Sequence, residues 1–238
     1  MRRVLFEWRG TRIYAYPAML FVGIYSGVIL GTYAAALRGL DARRVFVALL
    51  LLVVPALVGA RLLFVAFHWR LYVSEPHRIW RRSEGGAALY GGLALAFVSS
   101  LPLLKSLKLS VGSFWDAATL TMLTGMIFAK VGCLLNGCCA GRRTTSRFAL
   151  CLPARQGACA PRIPAQILEA ALAAAILLGS VAAWPHFAVS GMLFLCVLGA
   201  YGMGRWCLEP AKEKVDRIGP LSLHRTISAA LAGFSTLG

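Results

Sequence analysis

The chain has 238 residues, of which 59% are hydrophobic and 14% are charged. Soluble domains average about 45–50% apolar and about 25% charged residues, so this composition excludes an ordinary soluble domain and favours a lipid bilayer. The formal net charge is +16, but the basic residues lie between apolar segments and not on an amphipathic face, so we expect anionic lipid and no nucleic acid as partner.

Apolar runs bounded by charge, glycine or proline divide the chain into seven segments. A helix needs roughly 20 apolar residues to cross a hydrocarbon core about 30 Å thick. We therefore predict an all-α, polytopic integral membrane protein of about seven transmembrane helices, forming one domain over residues 1–238, with longer loops at about 69–86 and 137–163. No apolar run precedes a small-residue cleavage site, so we expect no removable signal peptide. The predicted spans lie near Tyr16–Ala36, Val45–Phe67, Ala87–Leu104, Ser113–Leu135, Ala165–Ala183, Phe187–Leu208 and Pro220–Phe234.

Polar residues within the predicted spans share one side of the membrane. In a seven-span chain the ends of even helices and the starts of odd helices face the side of the N-terminus. Ionisable groups at membrane depth cost at least about 2.5–3.5 kcal/mol each, so a cluster in one leaflet predicts a functional cavity. The alternative is that each cationic side chain extends separately to the nearest membrane–water interface. Asp116 alone lies at the opposite end. The clustered residues are Tyr16, Arg61, Tyr90, Lys130, Asn136, Gln166, Glu169, Tyr201, Arg205, Glu209, His224 and Arg225.

The end of the sixth span carries a polar stripe. Tyr201, Arg205 and Glu209 recur every four residues, so they lie along one face of a helix. The planar guanidinium of arginine matches a phosphodiester, and a carboxylate one turn away can hold it in place. This pattern predicts a phosphate-binding site, although an ion pair at a helix end beside an interfacial tyrosine has the same pattern.

Three further motifs come next. Lys130 precedes the Asn136-Gly137 turn, where backbone amides can meet a phosphate. Tyr90, Gly91 and Gly92 open the third span. Pro164, Gln166 and Glu169 open the fifth. Each has a structural alternative. For the Lys130 segment it is close helix packing, and for Tyr90 to Gly92 a tight helix entry. For Pro164 to Glu169 it is a proline-initiated helix with an acidic first turn.

The chain contains seven cysteines. No regular CxxC pair appears among Cys133, Cys138, Cys139, Cys151 and Cys159, so the sequence predicts no metal or iron–sulfur site. A disulfide in the loop between Cys151 and Cys159 is favoured if that loop lies outside the cytoplasm.

In chain order, these motifs resemble those of the prolipoprotein diacylglyceryl transferase family along nearly the whole chain. The motifs are Tyr16, Gly59-Ala60-Arg61, Tyr90-Gly91-Gly92-Leu93, the Lys130 to Gly137 segment, Pro164-x-Gln166-x-x-Glu169 and Tyr201-x3-Arg205-x3-Glu209. The residues that match family positions as they stand are Tyr16, Arg61, Asn136, Glu169, Tyr201, Arg205 and Glu209. The resemblance implies seven helices, an external N-terminus and a site near the outer leaflet of the bacterial inner membrane. It also implies transfer of diacylglyceryl from phosphatidylglycerol to the lipobox cysteine of a preprolipoprotein, with release of glycerol phosphate and no cofactor.

Some positions depart from the family pattern. The family has arginine where Lys130 stands, asparagine where Cys133 stands, and histidine where Tyr90 and Ile163 stand. Lysine keeps the charge but lacks the two-pronged guanidinium. Loss of the histidine removes the usual base near neutral pH. A related transferase with another acceptor, or a non-catalytic phospholipid-binding or transport protein, therefore stays open.

The resemblance and the residue types together give expected roles. Arg205, Lys130, Tyr90, Tyr201 and Glu209 are the predicted catalytic residues. Most lysines and arginines outside the spans lie on the N-terminal side, which by the positive-inside rule indicates a cytoplasmic N-terminus. We expect the family's opposite orientation, because a basic rim around a phosphate site explains the same excess. The predicted substrate-binding residues are Arg61, Tyr16, Asn136, Gly91, Gly92, Gln166 and Glu169.

Overall fold

The computed structural model describes residues 4–8, 11–73, 89–146, 149–153, 159–212, 217–218 and 221–222. Five of its helices are long and apolar enough to cross a membrane, the last being extended by a 3-10 turn at Trp184–His186. A second 3-10 turn, Glu209–Ala211, follows the final helix. The helices are α1 (Ala15–Leu37), α2 (Ala42–Phe67), α3 (Trp69–Tyr72), α4 (Leu89–Ser106), α5 (Val111–Asn136), α6 (Ala165–Ala183) and α7 (Met192–Leu208).

The predicted helical membrane protein is confirmed, and the first five predicted spans agree with helices to within three residues. The sixth predicted span begins later than expected, because Gly191 has a left-handed φ of 93° and α7 starts after it. That helix has 17 residues. Of the seventh predicted span, Pro220–Phe234, only Leu221–Ser222 lies among the described residues, where it forms a strand. The count of seven therefore stays a prediction.

Three short antiparallel hairpins add to the helices, a feature that the all-α prediction lacked. Strand β1 (Val4–Trp8) pairs with β2 (Thr11–Tyr14), and β5 (Arg217–Ile218) pairs with β6 (Leu221–Ser222). In the loop between α5 and α6, β3 (Leu150–Pro153) pairs with β4 (Cys159–Arg162). The Cys151–Cys159 disulfide joins these two strands, as the sequence predicted for an external loop.

The chain divides into two compact units, one formed by residues 1–31 and 115–238 and the other by residues 32–114. In the first, α1 and α5 approach closely through glycine. A Cβ at Gly27 would lie 2.6 Å from the carbonyl oxygen of Thr121, and the Thr121 hydroxyl donates to the Gly27 carbonyl at 2.9 Å. Small residues at a crossing let backbones meet, and a hydroxyl then joins them.

Asp116, the polar residue that lies apart from the others in the sequence pattern, caps the start of α7 at the other end of this unit. Its carboxylate accepts the backbone N–H of Gly191 at 2.7 Å and that of Phe194 at 2.9 Å. The first N–H groups of a helix have no partner within the helix. A buried carboxylate from α5 therefore caps α7, which explains why this polar residue lies apart from the others.

The second unit is built on the crossing of α2 and α4. Gly59 on α2 and Gly91 on α4 face each other, and a Cβ on either would overlap the other's carbonyl oxygen. A Cβ at Gly92 would lie 2.7 Å from the carbonyl oxygen of Ala56. The absence of side chains at these positions is thus required for helix packing, whereas the structural alternative considered for Gly91 and Gly92 was a tight helix entry.

Candidate active site

A single carboxylate lies at the centre of a cationic cluster in the first unit. Glu169 forms ion pairs with Lys130, Arg205 and Lys212. Its side chain is 5% exposed, whereas those of the three cations are 13% to 22% exposed. The cations therefore cover the carboxylate and keep partial access to their surroundings.

Each member comes from a different part of the chain. Lys130 is in the last two turns of α5, Glu169 in the second turn of α6, and Arg205 in the last turn of α7. Lys212 follows the 3-10 turn after α7. The antiparallel course of the three helices brings the end of α5, the start of α6 and the end of α7 together.

The chain after α5 fixes Lys212 beside this cluster. Gly141 donates its N–H to the Ile163 carbonyl at 2.9 Å, and Arg142 donates to the Ala211 carbonyl at 3.0 Å. A Cβ at Gly141 would lie 2.7 Å from the Ile163 oxygen and would overlap that of Ala211. The chain that follows α5 is thus hydrogen-bonded on one side to the residue that precedes α6 by two positions and on the other to the 3-10 turn after α7.

The charges in this cluster do not balance. Among the described residues, three cations surround one carboxylate, so positive charges outnumber negative ones by two. Buried charge is costly unless it is paired. Arginine and lysine are the side chains that bind phosphate in proteins. The arrangement is therefore suited to a phosphate-containing anion.

The predicted stripe is arranged differently from expectation. Arg205 pairs with Glu169 of another helix, and no ion pair between Arg205 and Glu209 occurs within the described part of the chain. The role expected for Glu209 stays a prediction. Glu209 directly follows α7 and begins the 3-10 turn. Tyr201 is buried within α7.

Three further predicted residues lie in the same unit. Tyr16 contacts α5, since a Cβ at Gly132 would lie 3.3 Å from the Tyr16 Cα. Asn136 is the last residue of α5. Gln166 is 1% exposed, and its Nε2 donates to the Cys138 carbonyl at 2.7 Å. Its Oε1 is buried without a hydrogen-bond partner among the described residues, so it can accept a bond from a ligand.

The remaining predicted residues belong to the unit of residues 32–114. The guanidinium of Arg61 lies 5.7 Å from the ring centroids of Phe64 and Tyr72, a distance typical of cation–π contacts. Tyr90 is half-buried in the first turn of α4. Gly91 and Gly92 pack against α2, as described above.

Comparison with known proteins adds an independent observation. The sequence model of a family described as prolipoprotein diacylglyceryl transferase matches residues 3–237. The chain belongs to this family. A phosphatidylglycerol–prolipoprotein diacylglyceryl transferase 2 of Clostridium perfringens is 32% identical over 172 residues, which are 71% of this chain and 67% of that protein. The transferase of Enterococcus faecalis is 31% identical over 145 residues, 61% of this chain and 52% of that protein.

Another member of the transferase family covers more of the chain. The protein of Trichormus variabilis is 26% identical over 242 residues, 94% of this chain and 84% of that protein. By contrast, the chain spans about half to two thirds of the length of several other relatives that it matches. The match over residues 3–237 confirms the family resemblance that the motifs predicted.

Sequence reasoning missed Lys212. Burial, followed by the neighbouring Arg205 guanidinium, lowers the pKa of its ammonium group to about 8. The only signal in the sequence was its place three residues after Glu209, beyond a Pro210 that ends the helix. The helical stripe predicted from the sequence ends at Glu209, so a cation beyond that end falls outside the prediction.

Lys212 predicts a pH dependence of anion binding. Its positive charge is present below about pH 8 and is lost above it, so the surplus charge of the cluster falls as pH rises. We expect affinity for a short-chain phosphatidylglycerol to be about tenfold lower at about pH 9 than at about pH 7. Lys212→Arg keeps its charge and should remove most of this decline. Equilibrium binding without peptide measures it, and an equally steep decline in the arginine variant would assign the titration to another group.

Proposed function

We propose that this chain transfers a diacylglyceryl group from phosphatidylglycerol to the lipobox cysteine of a preprolipoprotein and releases glycerol phosphate. The observation that carries the proposal is the excess of positive over negative charge around Glu169 among the described residues, where the ends of α5 and α7 meet the start of α6. Family membership supports the reaction class, and the names of the relatives supply the donor and acceptor.

The cationic cluster acts on the phosphate of the donor. Arg205 offers two parallel N–H groups to the phosphodiester, and Lys130 and Lys212 add point charges. The acceptor sulfur, as thiolate, forms a bond to the glyceryl carbon while the bond from that carbon to the phosphate oxygen breaks. The departing oxygen keeps the electron pair, and the three cations stabilise the charge that develops on the phosphate.

Other residues have proposed supporting roles. Gln166 accepts a hydrogen bond from a headgroup hydroxyl through its buried Oε1. Asn136 and Tyr16 border the same end of α5 and contact the headgroup or its glycerol backbone. Tyr201 orients polar groups of the substrates, and the roles expected for Tyr90 and Arg61 stay predictions from the family resemblance. Gly91 and Gly92 have a packing role in the crossing of α2 and α4.

We also propose the location of the site. The Cys151–Cys159 disulfide lies in the loop between α5 and α6, on the same side as the ends of α5 and α7. Disulfides persist outside the reducing cytoplasm. The disulfide therefore supports placing the cationic cluster at the outer leaflet of the bacterial inner membrane, where a preprolipoprotein would present its cysteine.

The experiment is a transfer assay with purified protein, phosphatidylglycerol and a lipobox peptide, which measures glycerol phosphate release and peptide mass together. Wild-type protein should lipidate the peptide. Arg205→Ala should slow transfer by about tenfold to hundredfold, because a hydrogen bond between charged groups contributes about 1.5–3 kcal/mol. Arg205→Lys should retain an intermediate rate. Transfer by Arg205→Ala at the wild-type rate would contradict the assignment.

Complementation of a strain depleted of its own transferase tests the function in a cell. Growth supports prolipoprotein lipidation. A well-expressed protein that fails to support growth, but releases glycerol phosphate without peptide, would indicate a different acceptor. Binding of phosphatidylglycerol without any release of glycerol phosphate would indicate a lipid-binding protein instead.

A further inference from the structure

Three cysteine thiols meet where α5 ends. The sulfur atoms of Cys133, Cys138 and Cys139 all lie within 4.8 Å of one another. Cys133 is buried, Cys138 half-buried and Cys139 exposed, and all three are free of disulfides. The sequence predicted no metal site because it lacks a regular CxxC pair. The structure brings the thiols together by a different device.

That device is the turn that ends the helix. Gly137 has a left-handed φ of 73° and donates its N–H to the Leu134 carbonyl, while Cys138 donates its N–H to the Cys133 carbonyl at 3.0 Å. These two bonds define a Schellman motif, in which the chain folds back over the last helical turn. Cys138 thereby returns to Cys133, five residues earlier.

Cys139 adopts a conformation that a non-glycine residue rarely takes. Its φ is 62°, and such a conformation costs on the order of 1–3 kcal/mol unless its surroundings enforce it. Gln166 supports the turn by donating to the Cys138 carbonyl. The energetically unfavourable backbone at Cys139 keeps its sulfur near the other two.

We propose that Cys133, Cys138 and Cys139 form a site for one thiophilic metal ion, Zn²⁺, with a fourth coordination position that accepts the acceptor cysteine. Zinc–sulfur bonds of about 2.3 Å place two sulfurs of a tetrahedral site about 3.8 Å apart, so the thiols need to shift by only about 1 Å. Three protein ligands leave the fourth position open, as is typical of catalytic zinc.

The electrostatics of the neighbourhood favour this ion. Three thiolates and one Zn²⁺ carry a net charge of minus one. Lys130 lies one helical turn before Cys133 on α5, and its cluster has surplus positive charge. On α6, Gln166 supports the cysteine turn while Glu169, one turn later, pairs with the cations. The two sites are therefore built on the same two helix ends.

The role of the open position rests on the proposed transfer. A thiol that coordinates zinc does so as thiolate, so its proton passes to bulk water as it replaces a zinc-bound water. Its sulfur then bonds to the glyceryl carbon, and glycerol phosphate leaves with the electrons of the broken carbon–oxygen bond. This supplies the acceptor thiolate in a chain that has Tyr90 where the family has a histidine.

Metal titration of the full-length purified protein tests the site without reference to activity. Anaerobic Co²⁺ titration should give sulfur-to-cobalt charge-transfer absorption that saturates at one ion per chain, and Zn²⁺ should displace it. Each of Cys133→Ser, Cys138→Ser and Cys139→Ser should weaken binding by about a hundredfold. The matched controls are Cys196→Ser and Cys207→Ser, since these free cysteines lie apart on α7 and should bind as the parent does.

Two results would overturn the metal site. One is metal binding that the three serine variants leave unchanged. The other is a stable disulfide among these three cysteines in protein purified without reductant, detected by differential alkylation and mass spectrometry. Retention of the parent's melting temperature in the serine variants would show that weaker binding comes from a lost ligand and not from misfolding.

A peptide titration tests the open position. A lipobox peptide added to the Co²⁺ form should increase the charge-transfer absorption, because a fourth sulfur binds, whereas a peptide with serine for cysteine should not. No response to the cysteine peptide would overturn this role. Transfer at full rate after complete zinc removal would also overturn it, while leaving the proposed function intact. Zinc binding by a protein that never transfers lipid would instead contradict the proposed function.

Discussion

Glu169→Gln is expected to slow diacylglyceryl transfer by more than about a hundredfold and to destabilise the protein by about 3–5 kcal/mol, the cost of leaving buried charges without their partner. Glu169 is the only carboxylate paired with Lys130, Arg205 and Lys212 among the described residues. Glutamine keeps the shape and removes the charge, so the three cations repel one another and leave the positions that hold the phosphate.

Stability in detergent and transfer rate are measured on the same preparations. Added phosphatidylglycerol should raise the melting temperature of Glu169→Gln more than that of the wild type, because the lipid phosphate replaces the missing negative charge. The matched stability control is Glu209→Gln, since Glu209 has no ion pair with Arg205 in the described part of the chain. A larger loss of stability in Glu209→Gln than in Glu169→Gln would restore the pairing expected from the sequence.

Gly91→Ala is expected to destabilise the protein by about 3 kcal/mol, at the upper end of the usual cost of overpacking. The added methyl group would overlap the carbonyl oxygen of Gly59 on α2. Neither group is the end of a flexible side chain, so relief requires the two helices to separate. Gly59→Ala should have a similar effect, because the overlap is reciprocal.

Gly179→Ala provides the control for this prediction. Gly179 lies in α6, where a Cβ would meet nothing within 4 Å, so the same substitution should change stability by less than about 1 kcal/mol. Unfolding in mixed micelles measures all three variants. Equal stability of Gly91→Ala and Gly179→Ala would show that α2 and α4 do not cross through these glycines.

The sequence by itself determined the helices and the family. Apolar length defined α1, α2, α4, α5 and α6 to within a few residues, because the bilayer requires roughly 20 apolar residues in any crossing helix. The chain order of the motifs was sufficient to identify the family. Parity placed Lys130, Glu169 and Arg205 at one end of the helices, since consecutive spans reverse direction.

The tertiary structure decided which of these residues touch. Local spacing placed Glu209 beside Arg205, four residues away, whereas the tertiary structure pairs Arg205 with Glu169 of α6. Lys212 entered the cluster because Gly141 clamps the chain between Ile163 and Ala211. The three thiols met because a left-handed Gly137 folds the chain back over α5. Spacing along a sequence predicts contacts within one helix, whereas contacts between helices depend on where each helix ends and how its turn is closed.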